Sequence, residues 1–329
     1  MSDIFELILI LIVPFLLSVL LVTKFCGDGA TFLKRCTFAL TLHVDRGLFK
    51  QGLFWLFILI PFLYFLALSI IAWQGYSILL TLNGLNEFVK ISVVPLAILS
   101  LAVPLSVLVS RLHASKQTAE QIKITRQKNN IDLFHSHRKE LFSYFLQVGK
   151  EKYLDCFDAE YKVHPRVHKN FFSGSPEDGS PEINELAFAQ VERDLLLAKN
   201  LLDNVISDKN PKMTFDFYIA NLCPTIYRLS YCLGLPEIHR NLAEKSVYYK
   251  SGNDLFLTVG KSTDEIIAAY RYAKNYFINL CDFAGRKFDL TDDASRDYID
   301  SGISFRTIKD PPIIEHLHET TFKNCVYWE

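Results

Sequence analysis

Three long stretches of the chain are almost entirely hydrophobic, and each holds about 20 residues. They cover approximately residues 4–23, 52–73 and 91–110. A helix of about 20 residues, rising about 1.5 Å per residue, spans the roughly 30 Å hydrocarbon core of a bilayer. The pattern therefore predicts three transmembrane helices in a membrane domain that covers residues 1–110.

The first hydrophobic stretch allows more than one interpretation. It starts beside Asp3 and Glu6, no Lys or Arg precedes it, and no Ala-x-Ala site follows it. A cleaved signal peptide needs a basic start and such a site. We therefore predict that this segment is retained and spans the membrane, with a helix lying at the membrane interface as the alternative.

Basic residues are distributed unevenly around the three stretches. The connection between the second and third stretches contains only Lys90, whereas the connection between the first two contains Lys24, Lys34, Arg35, Arg46 and Lys50. More basic residues follow the third stretch, beginning with Arg111 and Lys116. Loops rich in Lys and Arg remain in the cytoplasm. We predict a multi-pass protein of the bacterial inner membrane, with its N-terminus outside and its C-terminal part in the cytoplasm.

Charged residues become frequent only after the third stretch. Of the 35 Lys and Arg residues, six precede residue 110, and of the 36 Asp and Glu residues, five do, which leaves 29 and 31 for the remainder. That density is typical of a water-soluble domain. Because the two signs nearly balance, the charge gives no reason to expect a large nucleic-acid surface.

The residues after the third stretch predict further helices, and therefore a mostly α fold. No Gly or Pro occurs between Arg111 and Leu146, which predicts a juxtamembrane helical stalk over residues 111–148. Residues 149–329 are predicted to form a largely helical cytoplasmic domain. Within it the patterns predict helices over Ile183–Ile206, over Met213–Leu233 with an interruption at Pro224, and over Thr263–Ala284, and a β-hairpin near Val247–Val259.

The third stretch carries a possible polar face. At 100° per residue, Ser92, Ser106 and Ser110 fall within about 40° of one another. They could face a pore or other subunits, or they could be small residues that let helices approach closely. Pro95 and Pro104 make this helix the natural place for a bend, although prolines are also common in membrane helices. The second and third stretches contain no ionisable residue, which argues against ion pumping and proton-coupled transport.

The first part of the stalk is polar on nearly every side. His113, Gln117 and Gln121 follow one another at intervals of four residues, so they share one helix face. Their uncharged hydrogen-bonding groups could join helices near the membrane. A solvated helix that bridges two domains would have the same composition.

The order of residues in the stalk resembles that of the membrane effectors of bacterial retron anti-phage systems. The matching positions are His113, Ser115, Gln117, Thr118 and Gln121, followed by Asn129, Asn130 and His137 ahead of Phe142. The likeness covers about residues 52–145. The chain departs from the pattern at Ala114, where an Arg is expected, and in its additional first hydrophobic stretch.

The resemblance implies an effector that is not an enzyme. Such a protein is held inactive by a complex of reverse transcriptase with its RNA-linked DNA, and it disrupts the inner membrane when triggered. The resemblance implies that the stalk couples the two parts of the chain and that the helices act on the lipid bilayer as a homo-oligomer. The alternatives are a membrane anchor that carries a cytosolic protein-binding module without damaging the membrane, and a membrane-bound hydrolase.

The sequence indicates no catalytic residue, cofactor, metal site or small-molecule substrate. Val259-Gly260-Lys261-Ser262-Thr263 ends like a phosphate-binding loop, but Leu255 stands where that motif needs Gly. The seven cysteines include no Cys-x-x-Cys pair, which predicts separate reduced thiols. The spaced histidine pairs do not predict a metal site, because three or four ligands must converge; these pairs are His135/His137, His164/His168 and His316/His318.

Overall fold

The computed structural model describes residues 2–288 and 297–327, and these residues are mostly helical. The chain divides into two compact units, residues 1–126 and 127–329. The longest helix, α5 (Ala102–Val148), belongs to both units. The predicted stalk at residues 111–148 lies within this helix, and the boundary between the two units falls inside it.

The first unit contains three helices that are long and apolar enough to cross a membrane, as predicted. The helical stretches that contain these apolar spans are Ile8–Cys26, Gly52–Ala72 and Leu82–Val148, and in the third stretch the apolar part ends at about Ser110. The helices before α5 are α1 (Ser2–Cys26), α2 (Phe32–Leu40), α3 (Gly52–Ala72) and α4 (Leu82–Ser100). Most apolar side chains of α1 and α4 are exposed, as lipid-facing residues would be, whereas most of those of α3 are half-buried.

The third span differs from the prediction at its start and in its middle. Its helix α4 begins at Leu82 and not at Ile91, because the Thr81 side chain caps it by accepting a hydrogen bond from the Gly84 amide at 3.2 Å. The helix is interrupted by a turn at Leu101 before α5 begins. Pro104 accounts for the interruption, since it has no amide hydrogen for the carbonyl of Ser100.

Short helix α2 was not predicted, and it lies in the basic connection between the first two spans. The hydroxyl of Thr31 caps it by accepting from the Lys34 amide at 3.4 Å. Helix α2 packs against α1 and α3, and α3 also packs against α4. A small buried cluster of Val22, Ala39 and Leu56 joins α1, α2 and α3.

The second unit surrounds a buried helix, α9 (Thr263–Phe283). Helices α7 (Glu185–Ile206) and α8 (Cys223–Leu233) pack against it. The last turns of α5 contribute Leu141 and Phe145, both fully buried, to the same core. The other helices are α6 (Pro165–Phe171), α10 (Asp297–Asp300), α11 (Ile313–Thr320) and two π-helical segments, Asp216–Leu222 and Glu237–Leu242.

Short antiparallel strands complete the second unit. The pairs are β1 (Lys150–Tyr153) with β2 (Phe157–Glu160), and β3 (Phe172–Ser173) with β4 (Glu182–Ile183). A three-stranded sheet has the order β6 (Asp254–Leu257), β5 (Val247–Ser251) and β7 (Val326–Tyr327). The β5–β6 hairpin and helices α7, α8 and α9 agree with the predicted elements. The π-helical segment Asp216–Leu222 replaces the first half of the helix expected over Met213–Leu233.

Buried charges fix helix α10 to α7 and α9. The Asp300 carboxylate is 2.8 Å from the Lys199 ammonium and 2.6 Å from the Lys274 ammonium, and it accepts a hydrogen bond from the Tyr270 hydroxyl at 3.2 Å. The Arg271 guanidinium donates to the carbonyls of Tyr298, Ile299 and Gly302 at 3.0, 2.6 and 2.9 Å. These charged groups therefore add to the buried Ile299 side chain in fixing this short helix.

Candidate functional site

The residues that carry the resemblance lie on helix α5 in two groups. His113, Ser115, Gln117, Thr118 and Gln121 belong to the first unit, whereas Asn129, Asn130 and His137 belong to the second. Each group makes its contacts inside its own unit. The segment between Ser115 and Asn129 is exposed along almost all of its length.

The first group lies against the loop at residues 41–51, which we call the basic loop. Gln51, only 1% exposed, organises this loop. Its amide oxygen accepts from the His43 amide at 3.0 Å, and its amide nitrogen donates to the carbonyls of His43 and Arg46 at 2.6 and 3.0 Å. The His43 ring stacks on Phe38 at 3.9 Å, and the Arg46 guanidinium lies over the same ring.

Helix α5 meets the basic loop through side chains that follow the third span. Gln117 donates to the carbonyl of Val44 at 3.2 Å, and the Lys116 ammonium is 3.5 Å from the carbonyl of Leu42. His113, one turn earlier, is 4% exposed, and within the described part of the chain neither ring nitrogen has a hydrogen-bond partner. Of the three residues predicted to share a face, His113 is therefore buried and Gln117 bonds to the basic loop, whereas Gln121 is exposed.

The other two residues of the first group contribute less to this contact. Ser115 is exposed. Thr118 is also exposed, and its hydroxyl donates to the Ala114 carbonyl of its own helix at 3.0 Å. The basic loop is thus held mainly by Lys116 and Gln117.

The second group holds α5 to the loop before α7. Asn130 donates from its side-chain amide to the carbonyl of Glu177 at 2.6 Å, whereas Asn129 is exposed. Gly179 lies beside Asn130 with φ +101°, a left-handed conformation that favours glycine. One of the two neighbouring asparagines therefore positions a turn, and the other faces solvent.

His137 pairs with a histidine that the sequence reasoning did not connect to it. Its Nδ1 is 3.2 Å from Nε2 of His168 on α6. The two rings lie among the aromatic rings of Phe134, Phe172 and Phe283. Neighbouring His135 is exposed, so His135 and His137 diverge as the helical spacing predicts.

The serines and prolines of the third span lie on both sides of the interruption at Leu101. Ser92 and Pro95 are buried in α4, and the Ser92 hydroxyl accepts from the Trp73 indole at 2.9 Å. Pro104, Ser106 and Ser110 lie in α5, where the Ser106 hydroxyl donates to the Val103 carbonyl at 2.9 Å. Ser92 therefore bonds within the chain, and a pore face remains a prediction.

The turn that resembles a phosphate-binding loop is filled by an internal carboxylate. Glu265 accepts from the Lys261 amide at 2.7 Å and from the Lys245 ammonium at 3.0 Å. The Ser262 hydroxyl accepts from the Glu265 amide at 3.2 Å, which caps α9. The Glu265 carboxylate thus already accepts the Lys261 amide and the Lys245 ammonium, which a bound anion would otherwise use.

The remaining histidines are dispersed. His164 caps α6, since its Nδ1 accepts from the Arg166 amide at 3.2 Å. His318 on α11 is 3.1 Å from the Tyr218 hydroxyl, whereas His316 is exposed. Across residues 2–288 and 297–327, no three His, Cys, Asp or Glu side chains converge as metal ligands would.

No protein-family model matches the chain, no curated protein matches its sequence, and no solved structure matches its fold. The resemblance in α5 and the contacts of the chain's own residues are therefore the basis for inferring its function.

Sequence reasoning missed two residues that organise the site, Gln51 and His168. The position of Gln51 could have indicated its role, since it is an uncharged polar residue directly before an apolar helix. His168 had none, because 31 residues separate it from His137 and only the packing of α6 on the end of α5 brings them together.

The His137–His168 pair predicts a loss of stability in mild acid. Burial lowers the pKa of His168 to about 4, with His137 and Arg138 adding to the effect. Burial likewise lowers the pKa of His137, although Glu140 opposes it. Below about pH 6.5 the unfolded chain binds protons at these rings and the folded chain does not, so the free energy of unfolding falls as the pH drops towards about 4.

Urea unfolding of the full chain at about pH 7 and about pH 5 would measure this loss. The double variant His137→Gln/His168→Asn should show a smaller difference between the two pH values than the unaltered chain. His135→Gln changes an exposed histidine on another face of the same helix. This variant should leave the difference between the two pH values unchanged. A double variant with an undiminished difference would contradict the assignment.

Proposed function

We propose that this chain is a transmembrane effector of a retron-type anti-phage system, held inactive by a complex of reverse transcriptase with RNA-linked DNA. When triggered, it disrupts the bacterial inner membrane. The single observation that carries the proposal is helix α5, whose residues match the effector pattern in order from His113 to His137. The reverse transcriptase and its nucleic acid rest on that resemblance.

The contacts of α5 support a coupling role. Its first part follows the third apolar span and bonds to the basic loop through Gln117. Its last turns place Leu141 and Phe145 in the core of the second unit. In the proposed effector, α5 is the continuous helix through which a change in the second unit would reach the third span.

The charges support an orientation for the proposed effector. The basic loop and the residues after the third span carry Lys and Arg, whereas the connection between the second and third spans carries Lys90 alone. By the positive-inside rule, the N-terminus is outside and the second unit is in the cytoplasm. In the cytoplasm the second unit can bind a reverse-transcriptase complex. Association of several copies of the chain would bring their membrane helices together in the bilayer.

Membrane potential in living cells tests the proposal. The chain is expressed alone, with the reverse transcriptase and its RNA from the same locus, and with both during phage infection. We expect depolarisation when the chain is alone, a normal potential with the partner complex, and depolarisation again after infection. An unchanged potential in all three conditions would contradict membrane disruption.

An exchange of the membrane helices separates the effector from a plain anchor. Residues 1–110 are replaced by an unrelated three-helix anchor of the same orientation, while the second unit is kept. If defence against phage persists with the unrelated anchor, the helices serve only for attachment, and the anchor function is correct. Loss of defence at an equal protein level supports the effector.

A further inference from the structure

The second unit contains an open cavity of about 630 Å³ that none of the functions above uses. It lies where α6 begins, beside the end of α8 and the π-helical segment Glu237–Leu242. Its polar and aromatic lining comes from His164, Arg166, Asn170, Tyr231, His239 and Arg240. Small-molecule sites typically have volumes of about 300–1,000 Å³, so this cavity is large enough for one.

Two backbone features shape the cavity. Gly234 ends α8 with φ +71°, and a Cβ atom there would lie 2.7 Å from the Cβ of His164. The close approach of α6 to the end of α8 therefore requires glycine. On the other side, the π-helical segment carries His239 and Arg240; such wide turns are rare and frequently occur at functional sites.

The charge of the cavity lining is uncompensated. Arg166 and Arg240 are exposed, and among the described residues neither guanidinium has a salt bridge or hydrogen bond. Among the described residues, no acidic side chain lines the cavity. Two nearby acids are already engaged: Arg228 holds Asp194 with two hydrogen bonds of 2.8 and 2.7 Å, and Glu237 accepts from the Glu160 amide and the Tyr272 hydroxyl. The two guanidinium groups are therefore free to bind an anion.

An exposed aromatic ring stands beside these charges. Tyr231 is 64% exposed, and its ring stacks on His239 with 4.7 Å between centroids and 22° between planes. Stacking on His239 holds the ring in place while its other face remains open. A fixed aromatic face next to unpaired arginines is suited to a ligand that combines a planar ring with an anion.

We propose that this cavity binds a single phosphate-bearing nucleotide, with the base stacked on Tyr231 and the phosphate between Arg166 and Arg240. One aromatic platform and a cavity of this volume fit one nucleotide, and the nearly balanced charge of the chain does not favour a long strand. The nucleotide can be a free molecule or the phosphorylated end of a strand. This inference is independent of membrane disruption.

Calorimetry on the full-length chain in detergent tests the inference. The probes are the four ribonucleoside monophosphates, the matching nucleosides, inorganic phosphate, and a short single strand with and without a terminal 5′-phosphate. We expect at least one monophosphate to bind at least tenfold more tightly than its nucleoside and than inorganic phosphate. Binding of the phosphorylated strand as tightly as the monophosphate identifies a strand end as the source, and weaker binding identifies a free nucleotide.

Matched variants locate the site. Tyr231→Ala should weaken binding of that monophosphate about tenfold, the scale of a lost base–aromatic stack, and leave inorganic phosphate unaffected. Arg166→Ala/Arg240→Ala should weaken both. Arg193→Ala/Lys212→Ala removes the same charge from exposed positions outside the cavity and should change neither. The inference is overturned if no monophosphate binds, or if the control pair weakens binding as much as the cavity pair.

Discussion

Replacing Asp300 by Asn is expected to lower the free energy of unfolding of the second unit by about 3–5 kcal/mol. The Asp300 carboxylate compensates the Lys199 ammonium, which is 1% exposed, and also the Lys274 ammonium. Asparagine keeps the shape and removes the charge. A buried ammonium would then remain without its anion, which is among the most destabilising changes that one side chain can cause.

Urea unfolding followed by thiol labelling measures this effect, because Cys223 and Cys281 are buried and react only when the second unit opens. Asp264→Asn is the matched control. It removes a carboxylate that bonds to Arg306 at the surface, where an ion pair contributes about 0–1 kcal/mol. Equal midpoints for the two variants would contradict the prediction. Adding Lys199→Met to Asp300→Asn should recover part of the loss, since the buried charge is then absent.

Replacing Gln121 by Pro is expected to abolish depolarisation by the chain expressed alone, if the proposed effector function is correct. Proline has no amide hydrogen for the Gln117 carbonyl, and its ring clashes with that carbonyl, which costs about 3 kcal/mol in a helix interior. Residue 121 lies in the exposed middle of α5, where the helix depends on its own backbone hydrogen bonds. A break there would separate the third span from the turns that hold Leu141 and Phe145.

Gln121→Ala is the matched control for this substitution. It removes the same side chain but favours the helix, so depolarisation should persist. Both variants are compared at equal protein levels, and protection of Cys223 and Cys281 shows that the second unit stays folded. Depolarisation by Gln121→Pro equal to that of the unaltered chain would show that an unbroken α5 is not needed.

Elements with a strong local signal were predictable from sequence. Helix α3 was predicted to within one residue because an apolar run begins at Gly52 and ends at Trp73. Helix α9 was predicted from its acidic first turn and from Gly285. The start of α4 was missed because Asn83, Glu87 and Lys90 interrupt the apolar pattern, although Thr81 supplied a capping signal. Helix α2 was missed because Lys34 and Arg35 made it resemble a loop.

Contacts between distant parts of the chain were not predictable in this way. Periodicity placed His113, Gln117 and Gln121 on one face, but it could not show that Gln117 reaches Val44 while Gln121 remains exposed. The cavity beside Tyr231 depends on a π-helical segment and on the left-handed Gly234. Neither feature has a periodic signature, because each concerns how the backbone departs from a regular helix.

The interruption at Leu101 has a consequence for the hydration of the third span. A regular helix would supply the Ser100 carbonyl with an amide donor from residue 104, and proline withholds it. Lipid tails have no donor to offer in its place, whereas a water molecule or a hydroxyl of an associated copy does. At this peptide group of the third apolar span, contact with water or with a hydroxyl of an associated copy would supply a hydrogen bond that the helix itself does not.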